Sequence, residues 1–216
     1  MELRDYLKIL RKRGWIIIVV ALIAAAAAVA VSKVQTPIYR ATIRMSVEPA
    51  RLDWGLSNVI KDILRSYVVR LDSHKMAQRV IDRAQLDMTT DELKSLVTVS
   101  SDASNYTIRI DAKNADPIVA QQIAQTMAEL FVDEREQWNQ EQDKRDRVDV
   151  GIVDDVRQAE LFSPKTKTNA LVGLVFGAIV GGLIVFVLEW LESDIVRTPE
   201  DVERFVGWTV LGTIPA

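Results

Sequence analysis

Two stretches of this chain are too apolar and too long to be left in water. Residues 15–31, WIIIVVALIAAAAAVAV, carry no charge over a length close to the minimum for a membrane helix. Residues 170–190, ALVGLVFGAIVGGLIVFVLEW, are long enough to cross with some tilt, and their one charge, Glu189, sits at the far end. Two such spans put both termini on one side of a bilayer and everything between them on the other.

The flanks orient the hairpin. Arg4, Lys8, Arg11, Lys12 and Arg13 precede the first block, against only Glu2 and Asp5. Lysine and arginine hold a flank in the cytoplasm, so the middle segment is expected to be exported. The second block is less regular, with Lys165 and Lys167 outside and Glu189, Glu192 and Asp194 inside. The first helix generally sets the orientation, and acidic residues count little. Ala28-Val29-Ala30 has the small residues of a signal-peptide cleavage site. The block is long for a signal core, however, and its lead places Leu3, Tyr6, Leu7 and Leu10 on one face of an amphipathic helix suited to the interface. The expectation is a retained span. The chain then divides into a cytoplasmic amphipathic lead (1–14), a transmembrane helix (15–31), an exported α+β domain (32–168), a second transmembrane helix (169–190) and a cytoplasmic tail (191–216).

The exported segment has the periodicities of a mixed domain. In IYRATIRMSVE, Tyr39, Ala41, Ile43, Met45 and Val47 alternate with Arg40, Thr42, Arg44 and Ser46, the signature of a half-buried strand. Ile60, Ile63, Leu64, Tyr67, Val68 and Leu71 recur at helical spacing. Ser73 caps a second helix with Met76, Ala77, Val80, Ile81 and Ala84 inward, and a short third helix opens at Thr90. VTVSS and YTIRIDA form a hairpin across DASN. A long helix starts near Asp116-Pro117, facing inward with Val119, Ile123, Met127, Leu130 and Phe131. Residues 139–147, NQEQDKRDR, are polar all round, either a projecting helical end that meets neighbours through charge or a solvated face. Val148, Val150 and Ile152 then alternate as a fourth strand running on toward Pro164. Strand, helices, strand, strand, helix, strand is the order of a ferredoxin-like, split βαβ domain. In that plan the start of the first strand and the end of the last lie together, which is where the two spans attach.

Within the spans, Gly173, Gly177 and Gly181 recur every four residues, and Ala21, Ala25 and Ala28 offer a matching small face. Packing of these stripes is expected, within one chain or between chains. Neither span has a charge at its centre, which argues against an ion path.

Sites for chemistry are scarce. A net charge of -3 over 216 residues gives no ground for a nucleic-acid partner, and no Walker A pattern occurs. There is no cysteine, and the single histidine, His74, begins a helix, so no metal site or other cofactor is expected. Asp154 and Asp155 are neighbours in an extended stretch and point to opposite faces. Trp54 and Trp138 could stack on sugar rings, but packing is the ordinary role for each. The tail raises a different question. In VRTPEDVERFVGWTVLGTIPA, Thr198 and Pro199 open a helix, Gly207 closes it, and WTVLGTIP follows as a strand. One helix and one strand have no core of their own.

The layout resembles the Wzz chain-length determinant family, the polysaccharide co-polymerases, nearly end to end. LRDYLKILRKRGWIII is similar to the family's lead and first span, and PIYRATIRMSVE to its first exported strand. IRIDAKNADPIVAQQIAQTMAELF resembles its strand, Asp-Pro turn and long helix, and SPKTKTNALVGLVFGAIVGG its proline-containing approach to a glycine-rich second span. ESDIVRTPEDVERFVGWTVLGTIPA resembles the tail of the compact capsule branch, whose tyrosine kinase is a separate chain. Where the family often has several prolines in the neck before the second span, only Pro164 stands here.

The resemblance implies a homo-oligomeric, non-enzymatic regulator of surface polysaccharide length (capsule, exopolysaccharide or O-antigen) in the bacterial inner membrane. It would work in the lipid bilayer beside a polysaccharide polymerase. It also implies an owner for the tail's missing core, a cytoplasmic tyrosine kinase, docked by Val202, Phe205, Val210, Leu211 and Ile214. A sensor with an exported ligand-binding domain, or a scaffold subunit of another membrane complex, would share the two-span frame.

Overall fold

The computed structural model describes residues 3–49, 56–143, 147–154 and 158–193. Along the chain run α1 (Leu3–Val34), β1 (Ile38–Pro49), α2 (Leu56–Leu71), α3 (His74–Ala84), α4 (Thr90–Leu96) and β2 (Val97–Asp102). There follow β3 (Thr107–Asn114), α5 (Pro117–Gln140), β4 (Val148–Asp154), β5 (Glu160–Ser163) and α6 (Thr166–Ser193). Contacts divide the chain into two compact units. One contains α1 and α6; the other is Thr36–Pro164.

In the first unit, α1 runs unbroken through the basic lead and the apolar block. Both helices are long and apolar enough to cross a membrane, over Arg11–Val34 and Thr166–Leu191. A core helix of a water-soluble protein would pass the same test, but it would be covered by protein. These two are only 6% and 17% buried, and Trp15, Ile23, Phe176 and Phe186 stand outward. Such side chains need an apolar solvent.

The second unit is a sheet covered on one face by helices. Its strand order is β2-β3-β1-β4, with every neighbouring pair antiparallel. β1 is the centre because its alternation has period two: Ala41, Ile43, Met45 and Val47 are all buried, while Arg44 and Glu48 face out. β3 presents Ile108, Ile110 and Ala112 to the same side, opposite Met45, Ile43 and Ala41 in register. α5 lies over β1, β3 and β4, filling the core with Ile123, Met127 and Phe131. Each such side chain, fully buried, contributes about 1.5–3 kcal/mol of transfer free energy.

Local chemistry sets the helix ends. The Ser73 side chain accepts from Met76 N at 3.1 Å, and Thr89 does the same for Glu92 N at 3.3 Å, so α4 is capped one residue before Thr90. Asp116 caps α5 through Ile118 N at 2.8 Å, and Pro117 occupies the first helical position.

Two sequence expectations change here. The last strand is two: β4 pairs with β1 from Arg44 to Pro49, and β5 pairs with its start, from Ile38 to Arg40. The register shifts at both joins, and residues 155–157 between them lie outside the described residues. Of the polar stretch 139–147 only Asn139 and Gln140 belong to α5, which stops at Gln140, and residues 144–146 lie outside the described residues. The Asn139 amide explains the stop. Its Nδ2 donates to Val148 O at 2.9 Å and its Oδ1 accepts from Val148 N at 3.3 Å, which turns the chain back into β4.

Candidate functional site

The seam between α1 and α6 is made by absent side chains. A Cβ on Gly173 would stand 2.8 Å from Ala28 Cβ, and one on Gly177 would stand 2.6 Å from Ala24 Cβ and 2.7 Å from Ala21 Cα. At Gly181 it would meet Ile17 Cα at 2.8 Å. None of these distances leaves room for a methyl group, so glycine lets the backbones touch. The α1 side of the seam is Ile17, Ala21, Ala24 and Ala28, whose steps of four, three and four keep one stripe facing the partner helix. Ala25 is half-buried and is not among the atoms nearest the glycines; Ala24 holds that place. The seam is polar at both ends. Asn169 Nδ2 donates to the buried Ser32 Oγ at 2.8 Å, and Arg13 Nε lies 3.7 Å from Glu189 Oε2.

On the helical side of the second unit, Glu134 joins three elements. One of its carboxylate oxygens accepts from Arg70 at the end of α2, at 2.7 Å, and the other from Arg79 of α3. Burial alone would raise its pKa; the hydrogen bonds and charges of the two arginines outweigh that and hold it below the ordinary carboxylate value. Beside it, Arg135 is buried among aromatic rings, 5.2 Å from the ring centre of Tyr67 and 5.4 Å from that of Trp138. Its Nη1 donates to Tyr67 Oη at 3.4 Å, and its Nε has no hydrogen-bond partner among the described residues. Trp138 is thus a packing residue on one face, half-exposed on the other. Trp54 lies outside the described residues.

The open sheet face is polar and charged. Arg44 lies opposite Arg109 in register, a like-charge pair that costs stability unless neutralised. It is neutralised: Arg44 is 3.8 Å from Asp154, and Arg109 is 3.1 Å from Asp111, which also accepts from Thr42. His74 is exposed, with Asp91 at 3.7 Å. Among the described residues no group of three acidic or histidine side chains is placed to hold a metal. Pro164 ends the second unit through a cis peptide bond with Ser163. Val202, Phe205, Val210, Leu211 and Ile214 lie outside the described residues.

The described residues form a paired apolar hairpin and a compact α+β body. The model of the Wzz family, chain length determinant protein, matches residues 1–84, which contain α1, β1, α2 and α3. Similarity to the Wzz family is thereby shown over the first 84 of the 216 residues. Relatives of capsule type extend the likeness beyond that segment. The probable capsular polysaccharide biosynthesis protein YwqC of Bacillus subtilis is 28% identical over 228 residues, covering 99% of this chain and 87% of its own. The capsular polysaccharide biosynthesis protein CpsC of Streptococcus pneumoniae is 26% identical over 98% of this chain and 94% of its own. CpsC of Streptococcus agalactiae is 27% identical over 74% of this chain and 64% of its own. The glycine–alanine seam was partly visible in sequence. The Glu134 bridge and the Arg135 ring cluster were not, since each joins helices far apart in the chain.

Proposed function

We propose that this chain is a non-catalytic, oligomeric regulator of capsular or related surface polysaccharide length. It sits in the bacterial inner membrane with both termini cytoplasmic and Thr36–Pro164 exported. The observation that carries the proposal is the likeness to a capsular polysaccharide biosynthesis protein over 99% of this chain, spans and tail included, on top of the family match. The exported unit is read as a split βαβ domain, supported by the antiparallel β2-β3-β1-β4 order with helices on one face. A regulator of this kind needs no reacting groups. It acts by holding a polymerase and by reporting to the cytoplasm through its tail.

The tail, residues 191–216, is the docking element, and its partner is a tyrosine kinase on a separate chain. Val202, Phe205, Val210, Leu211 and Ile214 supply the apolar contacts that a lone helix and strand cannot bury by themselves. Deleting Thr198 to Ala216 is expected to abolish co-purification with the kinase and to shift the polysaccharide length distribution, read on a gel of surface polymer. An unchanged distribution with the kinase still bound would remove the tail from the mechanism. An unchanged distribution after loss of the whole gene would remove the function itself.

A further inference from the structure

At the end of the sheet where β1 begins, a second like-charge rung is left unneutralised. Arg40 lies opposite Lys113 in register, two steps along the same face from the Arg44–Arg109 rung, with Thr42 opposite Asp111 between them. Unlike that rung, neither cation has a hydrogen bond or ion pair among the described residues. Glu160 stands across from Arg40 on β5, exposed, and makes no ion pair with it. Instead both cations converge on one aromatic ring. Arg40 Cζ is 5.1 Å and Lys113 Nζ 4.6 Å from the centre of Phe162. The ring holds the two side chains together although their charges repel. Ile38, exposed two residues before Arg40 on β1, adds apolar surface.

We propose that Arg40 and Lys113, gathered on Phe162, bind the phosphate of an anionic lipid headgroup. Chain length picks the ligand. Only residues 35–37 separate α1 from β1, and only 164 and 165 separate β5 from α6. Along the chain, Arg40 thus follows six residues after α1 and Phe162 precedes α6 by four, and both helices are built to lie in lipid. Two cations, an aromatic ring and an aliphatic side chain so few residues from the spans match a headgroup region in charge and in polarity. The proposal rests on the membrane reading of α1 and α6 and adds a specific lipid site to it.

The test uses the full chain in a neutral detergent, offered phosphatidylglycerol or phosphatidylcholine at equal mole fraction, with bound lipid counted by native mass spectrometry. Wild type is expected to retain phosphatidylglycerol preferentially. Arg40→Gln with Lys113→Gln should lower its apparent affinity roughly thirtyfold, while Arg65→Gln, an exposed cation on α2, should leave it unchanged. Should the double variant fail to fold, Lys113→Gln alone should lose roughly fivefold. Equal phosphatidylglycerol retention by wild type and the folded variants overturns the proposal. So does displacement of the lipid by polygalacturonate or inorganic phosphate at matched charge, which makes a soluble anion the occupant. A chain that stays in the aqueous fraction without detergent overturns the membrane reading as well, a result distinct from an inserted chain that shows no lipid preference.

Discussion

Phe131→Ala is expected to destabilise the Thr36–Pro164 unit by about 3–5 kcal/mol, enough to threaten a domain whose whole margin is of the order of 5–15 kcal/mol. Phe131 is fully buried on α5, and its ring meets Tyr67 of α2 edge-on at 5.2 Å with 73° between planes. Its loss costs the transfer energy of the ring and the cavity left behind, and it takes the packing away from Tyr67, whose hydroxyl accepts from Arg135. Thermal unfolding of the full chain in detergent, followed by near-ultraviolet circular dichroism, should show a midpoint lower by about 10 °C or more. Val69→Ala, on the exposed side of α2, should move it little. Equal behaviour of the two variants would mean that α5 is not the centre of the core.

Gly177→Leu should separate α1 from α6. Its first side-chain carbon alone would lie 2.6 Å from Ala24 Cβ, 2.7 Å from Ala21 Cα and 2.9 Å from Val20 O. Two of those atoms are backbone and cannot swing aside, so the helices must part along the seam. Gly182, one residue beyond Gly181, has nothing within 4 Å of such a carbon, which makes Gly182→Leu the matched control. The chain lacks cysteine, so Ser32→Cys with Asn169→Cys, whose native side chains meet across the same two helices at 2.8 Å, provides a reporter. The intrachain disulfide, identified by mass spectrometry after proteolysis, should form readily in the parent and with Gly182→Leu. With Gly177→Leu it should fall by about tenfold or more, the equivalent of a 1.4 kcal/mol shift. Unaltered cross-linking would show that the seam does not depend on glycine at that position.

What was legible in sequence was what is periodic or local. β1 could be read because four apolar residues at period two bury one face. α3 and α5 could be read because Ser73 and Asp116 each supply a cap within three residues of the backbone group they satisfy. What was not legible depends on partners distant in the chain. The stop of α5 at Gln140 rests on Asn139 holding both backbone groups of Val148, which polarity alone does not reveal. The division of the last strand into β4 and β5 comes from register shifts against β1. Ala24 could not be preferred to Ala25 by size, since the choice is one of helix rotation against α6. Arg40, third in β1, and Lys113, seventh in β3, could not be paired before the register set them opposite each other, because a position in one strand says nothing about the strand beside it.

The central claim is a hairpin through the bilayer that carries Thr36–Pro164 outside the cell's cytoplasm, and single cysteines in this cysteine-free chain test it directly. Ser100→Cys, exposed on β2, and Lys12→Cys, exposed near the start of α1, would each be offered a membrane-impermeant maleimide in cells with an opened outer barrier and an intact inner membrane. The account predicts that Ser100→Cys labels in intact cells and that Lys12→Cys labels only after lysis. Protection of Ser100→Cys until lysis, or labelling of Lys12→Cys in intact cells, would contradict it.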